Sequence, residues 1–275
     1  MGLRINTNVA SLAAQRQISL SSRQSEGVMK ALASGNRFDD PTESTAARSI
    51  SEQLRGQVSG ARAGLRNAQD AQSFIQVAEG GLNEQNNILI RMRELAVQAA
   101  SDTFSDVERG MMNAEFSQLQ AEVDRIAKVT QFGTTKLLAG QSKDLEFQVG
   151  SYKGDENVVK FKSDTDTGGS ALGVSGLTVD DKGDARDAIE ELDNALVKMG
   201  QARSNFGATQ TRLDSTINNA GMQIENLSEA HSRMADTDVA EAVSKMYRNQ
   251  ALQQYQIAVL AQANQTPGSI LRLVA

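Results

Sequence analysis

The chain has 275 residues with no cysteine, no tryptophan, one histidine, two prolines, eight Phe and three Tyr. Disulfides and thiolate metal sites are therefore excluded, multi-histidine zinc centres fail because His231 is the only imidazole, and a Ser-His-Asp triad would have to use that one residue. The formal charge of -6 is uneven: residues 1–100 carry 11 basic and 9 acidic side chains, residues 101–200 carry 11 and 19, and residues 201–275 carry 6 and 6. The middle then reads as the solvent-facing part and the near-neutral ends as the parts that meet other protein.

No stretch reaches the roughly 18 to 20 apolar residues that span a bilayer. The N-terminal segment MGLRINTNVASLAAQRQ lacks the apolar run of a cleavable signal, which points to a cytosolic chain or one exported without that signal. No clustered basic face suggests nucleic acid. Scarce aromatics and prolines favour long helices filled by Ala, Leu, Ile, Val and Met over many short strands.

In chain order, residues 3–33 place Ile5, Val9, Leu12, Val28 and Leu32 at helical spacing before Gly35 offers a stop. Asp40, Pro41 and Glu43 form a helix start signal, and the helix they open is expected to run to about Ala100. Gly56, Gly60 and Gly64 share one face, where a second backbone can approach closely. Gly80-Gly81 reads as a weak point, costing about 1 kcal/mol per glycine relative to alanine.

Ser105 with Glu108 makes a second capping box, followed by Met112, Phe116, Leu119, Val123 and Ile126 at alternating four- and three-residue steps. Residues 131–183 break the helical pattern. Within them DLEFQVGSYKGDENVVKFK alternates around a glycine-containing turn as a β-hairpin does, and SDTDTGGSALGVSGLTV has loop composition.

From Ile189 a seam of mean period 3.5 continues through Leu192, Leu196, Met199, Arg203, Phe206, Gln210, Leu213, Ile217, Ala220, Ile224, Leu227 and His231 to Met234. A continuous helix here is roughly 70 Å long, too long for a sphere of this chain length, so the expectation is a rod. After the Asp236-Thr237-Asp238 interruption, Val239, Val243, Met246, Leu252, Tyr255, Val259 and Leu260 form a last apolar set.

The fold expected is mainly α: an elongated rod of long antiparallel coiled-coil-like helices with a small β-hairpin region, its N- and C-terminal helices pairing as an assembly domain. The expected divisions are 1–40 and 236–275 as terminal assembly segments, 41–130 and 184–235 as rod helices, and 131–183 as hairpin and loop. Neither terminal segment has the apolar surface to fold alone, so each is expected to order against a partner.

INTNVASLAAQRQ at 5–17, LASGNRFDD at 32–40, GLRNAQDAQSFIQVAEGGLNEQNNILIRMRELAVQAASDT at 64–103, SNFGATQTRLDSTINNAGMQIENLSEAHSRMADTDVAE at 204–241 and LAQANQTPGSILRLVA at 260–275 resemble the bacterial flagellins. The resemblance implies a short flagellin without large outer domains: a secreted, non-enzymatic subunit, needing no cofactor or metal, that polymerises into the extracellular filament used for swimming. Ile5, Val9, Leu12, Leu32, Val239, Val243, Met246, Leu252, Tyr255, Val259 and Leu260 are the self-assembly candidates.

Implied partners are further copies or sister flagellins, an export chaperone, the filament cap and hook-junction proteins, with no nucleic acid and no membrane insertion. RMRELAVQ at 91–98 is similar to the flagellin segment sensed by a vertebrate Toll-like receptor, with Arg91, Leu95 and Glu115 as the matching positions. The alternative functions are a hook–filament junction protein or a secreted enzyme on a flagellin frame.

Overall fold

The computed structural model describes residues 8–38, 45–140, 144–162 and 165–274. Six helices are found there: α1 (Val9–Ser34), α2 (Thr45–Ala99), α3 (Asp106–Val129), the four-residue α4 (Gly169–Leu172), α5 (Lys182–Ala235) and α6 (Val239–Val274). Two small antiparallel sheets lie between α3 and α4 in the chain: β1 (Gln131–Phe132) with β2 (Thr135–Lys136), and β3 (Asp144–Gln148) with β4 (Val158–Lys162). The chain divides into two compact units, one of Met1–Gln57 with Asn226–Ala275, the other of Val58–Glu225.

The Val58–Glu225 unit holds the hydrophobic core. On α2 a buried seam runs through Ala61, Gly64, Ala68, Ala71, Ile75, Ala78, Leu82, Gln85, Leu89, Met92, Ala96 and Ala99 in alternating three- and four-residue steps, with Val58, Phe74 and Leu95 also buried. On α5 the same alternation runs through Ala185, Ala188, Leu192, Ala195, Met199, Ala202, Phe206, Thr209 and Leu213. Between Ile189 and Leu213 half of the expected α5 seam is therefore one residue out: Leu192, Met199, Phe206 and Leu213 are buried as expected, as is Ala220 further on, but Ala188, Ala195, Ala202 and Thr209 fill the intervening places. Ile189 and Leu196 are half-buried at the edge and Arg203 is exposed. Small residues at alternate layers let helices approach closely, so a core with few aromatics is filled.

Ion pairs and hydrogen bonds fix the antiparallel register of α2 against α5. Gln72 Nε2 donates to Asp214 at 2.6 Å, and Arg93 meets Asp193 at 2.6 Å. Each of these links joins residues whose numbers total the same, as an antiparallel pair requires. Lys182 Nζ reaches Asp102 at 2.7 Å near the start of α5.

The hairpin forms where the alternation places it, with Leu145 opposite Phe161 and Phe147 opposite Val159. Phe161 and Val159 are buried, and Phe161 packs on Phe206 with ring centroids 4.9 Å apart. Phe74 of α2 meets Phe147 and Phe132 edge-on at 5.8 Å each. Gly60 and Gly64 are where α2 passes under the hairpin: a Cβ on Gly64 would collide with the Val149 carbonyl, whereas Gly56 faces open space. Gly81 has a similar purpose, since a Cβ there would lie 2.7 Å from Thr130 and 2.9 Å from Leu138. Only Gly80 of that pair packs against nothing.

α3 starts as its capping sequence predicts: the Glu108 carboxylate accepts from the Ser105 N–H at 2.8 Å and its hydroxyl at 2.9 Å. The start signal Asp40, Pro41 and Glu43 lies outside the described residues. The glycine-rich stretch before α5 is packed down rather than displayed. Leu172, Val174 and Val179 are buried, Lys198 caps the Ala171 and Leu172 carbonyls, Gln120 donates to the Val174 carbonyl, and Asn113 accepts from the Val179 N–H.

The other unit pairs α1 with α6 in antiparallel fashion. Asn8 caps α1, accepting from Ser11 N–H at 3.1 Å, while its amide donates to the Ala263 carbonyl at 2.8 Å. At the opposite end Gly35 stops α1 in the left-handed region (φ 70°), which a residue without Cβ adopts at no steric cost. Beyond it the chain forms a clasp: Arg37 N–H donates to the Ala235 carbonyl at 2.8 Å and Thr237 N–H to the Gly35 carbonyl at 2.9 Å. Asp238 then caps α6 by accepting from Ala240 and Glu241 N–H. The Asp236-Thr237-Asp238 interruption is thus a helix break with its own cap.

Candidate assembly and receptor-contact surfaces

The α1–α6 unit exposes the side chains a globular pair would bury. Val9 is 61% exposed and Tyr255 76%, and Leu12, Val239, Leu252 and Val259 are exposed as well. Between the two helices lie Ser11, Ser21 and Ser25, all buried. Of the expected assembly residues, Leu32, Val243, Met246 and Leu260 are half-buried, and Ile5 lies outside the described residues. The structure adds Leu20, Met29, Tyr247 and Ile257 to the exposed set. The three serines stand at helical spacing, but their polarity conceals the inward face from a pattern of apolar residues. Leu252, Tyr255 and Val259 line a shallow groove with Ala14, Gln17 and Gln256.

The receptor-contact candidates lie on the Val58–Glu225 unit and do not share one exposure. Arg91 and Glu115 are on the surface: Arg91 Nη2 meets Glu115 at 2.9 Å, bridging α2 to α3, and Nη1 meets Glu94 at 3.0 Å. The Glu115 hydrogen bond, then that of Glu94, holds the Arg91 guanidinium further above its usual pKa. Leu95 is only 2% exposed and belongs to the core. Its side chain is therefore withdrawn from this surface: one turn on from Arg91, it lies between that exposed arginine and the buried seam of Met92, Ala96 and Ala99.

Among the buried polar residues of the Val58–Glu225 unit, Arg109 and Gln85 have long side chains that no local sequence pattern marks as buried. Arg109, 8% exposed, donates from Nε to the Ala99 carbonyl at 2.9 Å and from Nη2 to the Ser101 carbonyl at 3.0 Å, closing the C-terminus of α2. Gln85 is fully buried, its amide donating to the Val123 and Thr167 carbonyls. Both hold backbone in place. Among the described residues no group of three acidic or histidine side chains is arranged to hold a metal, and no helix is long and apolar enough to cross a membrane.

Comparison with known proteins decides what this architecture serves. Residues 5–143 match the bacterial flagellin N-terminal helical region and residues 189–274 the bacterial flagellin C-terminal helical region. The chain belongs to the bacterial flagellins. It is 38% identical to flagellin of Halalkalibacterium halodurans over 271 residues, 98% of this chain and 99% of that protein. It is 35% identical to the flagellar filament core protein flaB2 of Brachyspira hyodysenteriae over 285 residues, 98% of this chain and 99% of the relative. The crystal structure of Bacillus cereus flagellin superposes with a TM-score of 0.51 at 32% identity, covering 56% of this chain and 88% of that one.

As a flagellin, the chain is a structural subunit of the extracellular flagellar filament and not an enzyme. Its similarity to relatives of nearly equal length fits a short form without a large outer domain.

Proposed function

We propose that copies of this flagellin join through the outward apolar faces of α1 and α6, with Val9, Leu12, Val239, Leu252, Tyr255 and Val259 as principal contacts. The observation that carries this is their exposure beside a seam of buried serines. Fully burying a large apolar side chain contributes about 1.5–3 kcal/mol, so the six together are worth on the order of 10 kcal/mol. That is comparable with the roughly 4–15 kcal/mol cost of fixing one molecule on another. A single contact is therefore marginal, and a polymer in which each copy is enclosed by several neighbours is favoured. The half-buried Leu32, Val243, Met246 and Leu260 support the faces from behind. Ile5 belongs to the same proposal.

Replacing Leu252, Tyr255 and Val259 together by alanine tests this. The variant is expected to keep the helical circular dichroism of the parent but to stay in the supernatant where the parent sediments as filaments. Sedimentable filaments from the variant would remove these residues from the interface.

The same faces need cover before polymerisation and at the filament ends, which supports an export chaperone, cap and hook-junction proteins, and sister flagellins as further partners. Host sensing is a second proposal, favoured by the exposed Arg91–Glu115 pair: Arg91→Ala is expected to weaken Toll-like receptor activation by soluble subunit. Leu95→Ala is expected to act through folding, so a signalling loss with unchanged stability would restore Leu95 to the contact.

A further inference from the structure

The seam between α1 and α6 has heptad spacing but not heptad chemistry. On α1 the positions turned inward are Ser11, Ala14, Ile18, Ser21, Ser25, Val28 and Leu32; on α6 they are Ala242, Met246, Asn249, Gln253, Gln256, Leu260 and Ala263. Both series alternate three- and four-residue steps. Six of these fourteen places are polar, and the polar ones sit mainly in the middle. Gln253 Nε2 donates to Ser25 Oγ at 3.3 Å, while Ser21 Oγ and Gln256 Oε1 are out of water with no hydrogen-bond partner.

Such a seam costs stability, since a desolvated hydroxyl or amide lacking a partner is unfavourable. Large apolar side chains were available on these same helices, at Leu12, Leu20, Leu252, Tyr255 and Val259, yet they lie outside the seam. Polar residues at seam positions select register and partner at the expense of stability. Selection matters here because every copy carries apolar faces of the same kind. A leucine-lined seam would take up α1, α6 or the outer face of a neighbour without discrimination, whereas an outer apolar face laid against this seam denies Gln253 the Ser25 hydroxyl to which it donates.

We propose that this polar seam is a partner selector: it admits the α1 of its own chain in one antiparallel register and rejects the outer faces of neighbouring copies. Those faces are left for contacts between subunits. The inference rests on the assembly reading above. The clasp at Arg37 and Thr237, which ties the adjacent ends of the two helices, supplies the proximity that lets so weak a seam close.

The test exploits the absence of native cysteine. Asn8→Cys with Ala263→Cys, at positions joined by a hydrogen bond at the far end of the pair, is placed in the full chain. It is made once with the native seam and once with Gln253→Leu and Gln256→Leu. Both proteins are incubated under polymerising conditions, joined with a short bis-maleimide, and separated after denaturation. The native seam is expected to give links within one chain. The leucine seam is expected to raise the fraction of links between chains about tenfold, equivalent to about 1.4 kcal/mol of lost discrimination.

Equal within-chain linking by both proteins overturns the selector, as does between-chain linking by the native seam. A third protein with Gln253→Asn and Gln256→Asn keeps the amides and is expected to link as the native seam does. Linking between chains by this variant, with its helical circular dichroism intact, also overturns the proposal. Failure of the assembly reading looks different: no filaments by electron microscopy from the native chain, with the linking contrast still present.

Discussion

Gly64 and Gly80 lie in the same helix, α2, and the same substitution is expected to stabilise the protein at Gly80 but not at Gly64. A methyl group on Gly80 meets nothing within 4 Å, whereas one on Gly64 runs into the carbonyl of Val149 in the hairpin. Glycine to alanine inside a helix is worth about 1 kcal/mol in propensity, so Gly80→Ala should stabilise by about that amount. At Gly64 the same gain is opposed by overpacking, about 1–3 kcal/mol, and here the obstacle is backbone rather than the yielding end of a side chain. The net expectation for Gly64→Ala runs from about zero to a loss of about 2 kcal/mol. Urea unfolding of the monomeric full-length chain, followed by circular dichroism, is the assay. With a slope of about 2–3 kcal/mol/M, Gly80→Ala should raise the midpoint by about 0.3–0.5 M while Gly64→Ala leaves it level or lowers it. Equal rises for both variants would refute the placement of the hairpin on α2.

Phe206→Ala should cost about 3–5 kcal/mol in the same assay, because the ring is fully buried against Phe161; a loss below 1 kcal/mol would contradict that packing. Acid should loosen the Val58–Glu225 unit. Lys182 holds Asp102, Arg93 holds Asp193 and the Ser105 N–H holds Glu108 below their ordinary values of 3.8, 3.8 and 4.5. Depressed carboxylate pKa values mean stability that is complete above those ordinary values and lost as the pH falls through the lower folded ones. A urea midpoint that falls between pH 7 and pH 5 but not below it would assign acid sensitivity to other groups. Arg109→Met should selectively speed hydrogen exchange at the α2 C-terminus, where the Ala99 and Ser101 carbonyls lose their donor; uniform acceleration across α2 would count against this role.

The parts of the fold legible in the sequence were those set by local chemistry. The Ser105–Glu108 cap and the β3–β4 hairpin depend on residues a few places apart, and both stand where the sequence put them. What escaped was decided by packing between distant segments. The α5 seam shifts at alternate layers because alanines at 188, 195 and 202 allow a closer approach than Ile189 or Leu196 would. Gly81 looked like a defect until Thr130 and Leu138 were placed above it. Leu95 lies one helical turn from Arg91, and the small rotation between them toward Met92, Ala96 and Ala99 is what buries it, so a linear motif could not separate core from surface. The serine seam between α1 and α6 was hidden for a related reason: apolar residues at helical spacing mark an inward face only when the chain has no further copies to meet.

Electron microscopy of two purified proteins tests the central claim most directly: the full chain, and one lacking residues 1–33 and 240–275. The account predicts filaments from the full chain alone and a soluble helical monomer from the trimmed one. Filaments from the trimmed protein would contradict it.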